Sequence, residues 1–201
     1  MSERETQFSR KILNAGTLLA PLPAVMISCG TTEKANVMTA AWTGILCTKP
    51  PMTYVSIRPS RYSYEIIKEG GEFVINLTTA EMVRITDFCG VKSGRDMDKI
   101  TKCGLHTEPA SRVSAPIISE SPLSLECRVT EVRPLGSHDM FIAEIVSVSA
   151  DSRYIDADGR IALDKAGLMA YSHGEYFALG KKLGTFGYSV RKKKRSSRRK
   201  R

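Results

Sequence analysis

No stretch of this sequence comes near the ~20 continuous apolar residues that a membrane helix requires. The N-terminal MSERETQFSRKI also lacks the apolar core of a signal peptide. These absences point to a soluble, cytoplasmic protein. No G-x-G-x-x-G follows a candidate strand, which argues against a dedicated nicotinamide-dinucleotide domain. No G-x-S-x-G is present, so nothing supports a nucleophilic triad. The five cysteines, at 29, 47, 89, 103 and 127, are odd in number and include no C-x-x-C pair. That spacing fits neither a disulfide framework nor a zinc site, and no metal is expected. There is no internal repeat.

The formal charge of +9 is unevenly placed. Residues 191–201 (RKKKRSSRRKR) hold nine of the 30 Lys and Arg and none of the 21 acids. The remaining 190 residues carry 21 basic and 21 acidic side chains, a balance of zero. The body is therefore not a basic nucleic-acid surface. The tail repels itself and is expected to be disordered. The expected organisation is one domain over residues 1–190 and a basic tail over 191–201.

Period-two and short apolar runs dominate, so strands dominate the reading. Ala24–Cys29, Val37–Cys47 and Met52–Ile57 read as three successive strands of an antiparallel meander. A short helix follows Pro59 and stops at Gly70-Gly71. Phe73–Leu77 returns to strand, and Glu81–Cys89 reads as a helix ended by Gly90. Lys92–Gly104 reads as a polar loop and a short apolar turn. Ser124–Val132 and Met140–Val148 alternate on either side of the turn PLGSHD, and Leu168–Ser172 adds a final strand. Paired strands of this length suit a closed, mainly-β barrel with a few short helices, because closure removes exposed edges.

Two segments carry chemistry. Arg58, Ser60, Arg61 and Ser63 lie where a strand meets a helix, and helix N-termini favour anions. Ser60 or Ser63 either caps that helix or gives its hydroxyl to a phosphate oxygen, while Arg offers a planar fork for two oxygens. The second segment is the run Met38-Thr39-Ala40-Ala41-Trp42-Thr43-Gly44, whose small side chains let main-chain groups reach the edge of a flat ring. Trp42 offers an indole face to an aromatic ligand, although alone it reads as a core residue. Asn36 reads as a turn residue. Lys99 either neutralises a phosphate or is a solvated loop lysine. His138, next to Asp139 at a hairpin tip, reads either as a proton donor oriented by that carboxylate or as an exposed turn histidine. Tyr171 and Tyr176 place aromatic rings near the end of the domain.

Six segments in order resemble the flavin reductase-like proteins, flavoredoxins included. They are NVMTAAW at 36–42, IRPSRYSYE at 57–65, FVINL at 73–77, CGVKSGRDMDK at 89–99, GSHDMFIAE at 136–144 and YSHGEYFALG at 171–180. The resemblance implies an antiparallel, Greek-key-like split β-barrel that binds FMN. It implies that Asn36, Met38, Thr39, Ala40, Ala41 and Trp42 line the flavin. It also implies that Arg58, Ser60, Tyr62 and Ser63 hold the ribityl phosphate, and that Lys99 and Tyr171 reach the cofactor. His138 is the catalytic candidate. A homodimer with FMN at its interface follows from the resemblance alone, so His138 or Tyr171 is free to act on the partner's cofactor. One departure is the turn TTEKAN, where relatives commonly carry Gly-x-Pro-Asn.

The function implied is an FMN-dependent oxidoreductase, most simply a flavin reductase taking electrons from NAD(P)H or a protein donor. The alternative is a flavoredoxin-type electron carrier without small-molecule turnover. A third reading, nucleic-acid binding through the tail, predicts steeply salt-dependent binding. The tail otherwise suits an anionic partner such as RNA, acidic lipid or an acidic protein.

Overall fold

The computed structural model describes residues 9–191. The basic tail lies outside the described residues except for Arg191. The first part of the chain forms β1 (Leu22–Pro23), β2 (Val25–Gly30), β3 (Ala35–Ala40), β4 (Thr43–Thr48), β5 (Pro51–Ile57), α1 (Tyr62–Gly70) and β6 (Glu72–Leu77). Then come α2 (Val83–Val91), α3 (Lys99–Cys103), β7 (Thr107–Glu108), β8 (Ile117–Ile118), β9 (Leu123–Pro134), β10 (Asp139–Ala150), β11 (Met169–Ser172) and β12 (Glu175–Ala178). The fold is mainly antiparallel β.

Seven strands form one sheet in the order β3-β2-β6-β9-β10-β5-β4. Laid flat at ~4.8 Å spacing, β3 and β4 would stand roughly 29 Å apart. Only Ala41 and Trp42 separate them in sequence, a reach of about 10 Å. The sheet must therefore curl until its two ends meet. At the junction the Ser56 amide of β5 donates to the Trp42 carbonyl across 2.9 Å. The result is a barrel split where β3 hands over to β4. This corrects the expected strand over Val37–Cys47, which is broken at Ala41–Trp42, and the expected meander. Strands β2 and β3 pair at one end of the order and β4 and β5 at the other.

Alternation supplies the interior. Thr53, Val55 and Ile57 of β5 are buried while their neighbours are not. Val25, Ile27, Phe73, Ile75 and Phe141 meet them in the main core. Strands β9 and β10 run twelve residues each, with register shifts after Ile142 and Ile145 that let so long a ribbon coil. Among the described residues the one buried side-chain polar atom without a hydrogen-bond partner is Thr86 Oγ1. Asn76 donates to Met26 O, Val74 O and Ser28 Oγ, and accepts from the Ile118 amide and Ser124 Oγ. Fully buried Glu126 accepts from the amides of Ser111 and Arg112 and from Ser111 Oγ, latching that loop to β9.

α1 sends Tyr64 and Ile67 into the main core, whereas α2 and α3 pack on the other face of β2 and β3, against Met26 and Val37. α1 stops at Gly71, whose φ of 68° closes the last turn onto Ile67 O. α2 continues through Gly90 to Val91, one residue past the expected stop. Within the expected turn before Gly104 the chain forms α3, because Asp98 accepts from the amides of Ile100 and Thr101 at 3.0 and 3.2 Å. The final strand, β11, is the middle of a separate three-stranded sheet, paired with β1 on one side and β12 on the other.

Candidate functional site

The strand-to-helix junction after β5 opens onto a cavity of about 470 Å³. Its wall takes Arg58, Ser60, Arg61, Tyr62 and Ser63 from the junction, Lys92, Ser93, Gly94 and Arg95 from the loop between α2 and α3, and Lys99 from the start of α3. Met38 of β3 and Cys89 of α2 complete it. Five of these twelve residues are cationic and none is acidic. In a body whose charges sum to zero, the cations are concentrated here, which is the electrostatic signature of an anion site.

The first turn of α1 takes no side-chain cap. Arg61 is the N-cap and makes no capping bond, so neither Ser60 nor Ser63 caps the helix. Ser63 is instead buried within the first turn, where its Oγ accepts from Asn36 Nδ2 across 2.7 Å. Asn36 is thus a buried residue of β3, not a turn residue. Ser60 is exposed at the rim, and its carbonyl accepts from Arg95 Nη1 at 2.8 Å. The Arg95 guanidinium lies 5.5 Å from the Tyr62 ring centroid. Arg61 Nη1 donates to Gly90 O at 3.0 Å, which ties the junction to α2. Arg58 is exposed at the end of β5.

Lys99 is the buried cation, 4% exposed. Its Nζ donates to Cys89 O and Lys92 O, each at 3.0 Å, leaving one of its three N–H groups uncommitted. Burial, together with the Arg61 charge, holds its pKa below the ordinary lysine value, with the neighbouring thiols acting the other way. A buried ammonium facing a cation-lined cavity gains most from an anion. Cys89 and Cys29 are pushed up to about 12 and about 11, chiefly by burial, so neither supplies a thiolate.

Met38 lines the cavity, while Ala40 and Ala41 are buried at β3's end. Thr39 Oγ1 donates to Thr86 O, so its hydroxyl holds α2 against β3. Trp42 is 42% exposed, not a core residue. Its ring is nearly parallel to that of His138, with centroids 6.1 Å apart and 13° between planes. His138 precedes Asp139, which pairs with Ile57, so His138 stands beside Arg58. Its pKa is lowered by burial and then by the Arg58 and Arg61 charges. The expected orientation of His138 by Asp139 is not found. His138 Nδ1 lies 2.9 Å from Ser137 Oγ, and the Asp139 carboxylate accepts from Tyr64.

Tyr171 does not join this cavity. It packs edge-on against Tyr176 in the three-stranded sheet, at 5.5 Å between centroids, and Tyr176 donates to Asp87 on α2. Sequence reasoning did not single out Lys92, Ser93, Gly94 or Arg95. Gly94 is there because nothing larger fits: an added Cβ would stand 2.1 Å from Asn36 Oδ1 and 2.7 Å from Tyr62 Cδ1. A groove of about 1060 Å³ adjoins the cavity and shares Tyr62, Gly94, Arg95 and Lys99 with it.

Residues 18–180 match the family model described as flavin reductase like domain. An uncharacterized protein of Archaeoglobus fulgidus is 34% identical over 167 residues, covering 83% of this chain and 93% of that protein. The flavoredoxin of Desulfovibrio vulgaris (Miyazaki F) superposes with a TM-score of 0.83 at 31% identity, covering 91% of this chain and all of that one. A flavoredoxin from Methanosarcina acetivorans superposes with a TM-score of 0.81 at 28% identity, covering 91% of this chain and 100% of that one.

Proposed function

The chain belongs to the flavin reductase like family, and on that premise we propose that its cation-lined cavity takes the phosphate of FMN and that the protein is an FMN-dependent oxidoreductase. The observation that carries this reading is the cavity wall, with five cations, three serines and no carboxylate. A phosphate dianion fits that donor set. Arg58 supplies a fork, Ser60 and Ser63 supply hydroxyls, and Lys99 supplies its remaining N–H. Tyr62 flanks them. The first-turn amides of α1, free of any side-chain cap, add donors and a partial positive charge.

From the phosphate corner, Met38 leads toward Ala40, Ala41 and Trp42, where bare main chain is available to a ring edge. Asn36 fixes Ser63, and Thr39 fixes the α2 wall. FMN, when bound, supplies the redox chemistry, with the protein providing position, electrostatics and access. His138 and Trp42 bound the side on which a donor would dock. A homodimer with the flavin between subunits would bring Tyr171 of one copy toward the other's cofactor.

The donor is a reduced nicotinamide in the simplest form of this reading. The flavoredoxin likeness favours a second form, an electron carrier without small-molecule turnover. Purified protein should be yellow and release FMN on denaturation; a colourless protein that takes up no added FMN sinks the proposal. Anaerobic bleaching by NADH, NADPH and reduced ferredoxin then separates the two forms. A carrier bleaches with ferredoxin and consumes negligible NAD(P)H in the presence of free flavin.

A further inference from the structure

The cations of the cavity wall supply charge, and they also occupy the wall's own hydrogen-bond acceptors. Arg95 Nη1 donates to Ser60 O at 2.8 Å, and Arg61 Nη1 donates to Gly90 O at 3.0 Å. Lys99 Nζ takes up both Cys89 O and Lys92 O. Backbone amides use two more carbonyls: Arg61 N donates to Arg58 O at 2.9 Å, and Asp96 N donates to Ser93 O at 3.3 Å. The serines follow the same pattern. Ser93 Oγ accepts from the Arg95 amide at 3.2 Å and Ser63 Oγ accepts from Asn36 Nδ2, so the O–H of each is left to donate. The hydroxyls of Ser60 and Tyr62 are able to donate as well. No carboxylate lines the cavity; Glu33, Glu65, Glu69 and Asp98 line the adjoining groove instead.

We infer that this wall selects oxyanions that carry no proton: it takes a phosphate monoester as the dianion and turns away the protonated monoanion. A P–O–H group needs an acceptor, and here the acceptors already face donors of the protein. Bringing that group against donors alone leaves a desolvated O–H unpaired, which is costly. Charge acts in the same direction, because five cations gain more from two negative charges than from one. The inference rests on the proposed function and names the ionic form of the ligand that the site accepts. A phosphate ester takes up its second proton at about pH 6. Binding that excludes this proton is therefore at full strength above about pH 6 and weakens as pH falls below it. A sulfate ester carries one negative charge and no proton throughout this range, so the wall accepts it in acid. Two protein groups near the wall also titrate. The pKa of His138 is lowered by burial and by Arg58 and Arg61, and that of Lys99 is lowered by burial. Each acts on both esters, so the sulfate ester corrects for them.

The test titrates the full-length, flavin-free protein with FMN and with riboflavin 5′-sulfate from pH 8 to pH 5, read by flavin fluorescence. FMN affinity should fall roughly tenfold between pH 7 and pH 5, following the share of dianion in solution. Affinity for the sulfate ester should show no such fall. In phosphorus NMR, the resonance of bound FMN should hold its dianion position across the same range. Parallel pH dependence of the two esters overturns the inference, as does a bound phosphate that titrates near pH 6 like free FMN. So does an FMN affinity that levels off in acid at the sulfate ester's value, because the protonated ester would then be accepted on its charge alone. The functional proposal fails separately, if FMN binds no tighter than riboflavin at pH 8. Methyl phosphate and methyl sulfate, which lack the ring, then decide this inference by the same comparison, and a cavity that binds neither overturns it.

Discussion

The Asn36 side-chain amide donates to Ser63 Oγ across 2.7 Å, joining β3, the terminal strand of the sheet, to the first turn of α1. Both residues are buried, so the bond sets where the helix N-terminus stands relative to the small-residue run. Asn36→Ala leaves the Ser63 hydroxyl without this donor and opens space beside Cys29. It should lower unfolding free energy by about 1–3 kcal/mol in urea titrations, and it should weaken FMN retention beyond what a stability-matched surface variant does. Unchanged flavin affinity would separate the bond from the site.

Gly94 sets how closely the loop between α2 and α3 approaches that pair. Gly94→Ala puts a Cβ against Asn36 and Tyr62, so the loop must back away, carrying Arg95 from Tyr62 and Ser60. A destabilisation of about 1–3 kcal/mol is expected, with weaker binding of FMN than of riboflavin relative to wild type. Gly70→Ala, within α1 and with nothing within 4 Å of the added Cβ, is the control and should neither destabilise the fold nor shift FMN binding relative to riboflavin. Equal behaviour of the two variants by thermal melt and flavin titration would contradict the assignment.

Much of this was legible from the chain. Alternation marked the strands, Gly70-Gly71 marked the end of α1, and six ordered segments marked the family. The break at Ala41–Trp42 was not legible, because a run of small residues keeps the same pattern through a strand and across a gap. The pairing of β2 with β6 and of β10 with β5 was equally invisible, since local periodicity carries no register between distant strands. α3 has five residues, too few to show a helical period, although Asp98 ahead of it was a usable cap signal. His138 and Asp139 misled by adjacency: neighbours entering a strand point to opposite faces. The cation cluster was hidden by the zero net charge of residues 1–190, because it assembles from two segments some thirty residues apart.

Lys99 offers a test of the buried charge. Lys99→Met keeps the stem and removes the ammonium. FMN affinity should fall roughly 10- to 100-fold, the worth of one hydrogen bond to a charged group. Riboflavin affinity should change little. Fluorescence quenching of each flavin on titration reads both, and a parallel loss for the two ligands would place Lys99 in the scaffold instead of the anion site.

Glu126 makes the fold's stability depend on acid. Burial alone would raise its pKa, but the amide and hydroxyl bonds from Ser111 and Arg112 outweigh it and hold the carboxyl below its ordinary value of 4.5. As pH falls, the unfolded chain therefore takes up this proton before the folded one does. The stabilisation is complete above the unfolded value and is lost as pH drops through the folded one. Glu126→Gln should cost about 1–3 kcal/mol near neutrality, and the gap to wild type should narrow under acid. A gap that stays constant from pH 7 to the acid transition would refute the assignment.

The most direct measurement compares FMN with riboflavin, two ligands that share the ring and differ in the phosphate, on the same flavin-free protein. If the cation-lined cavity is a phosphate site, FMN binds roughly 100-fold tighter or more, and the difference collapses in the Arg58→Ala/Ser63→Ala double variant. Equal affinities in the wild-type protein, or a difference that survives the double substitution, would show that the phosphate is held elsewhere or not at all.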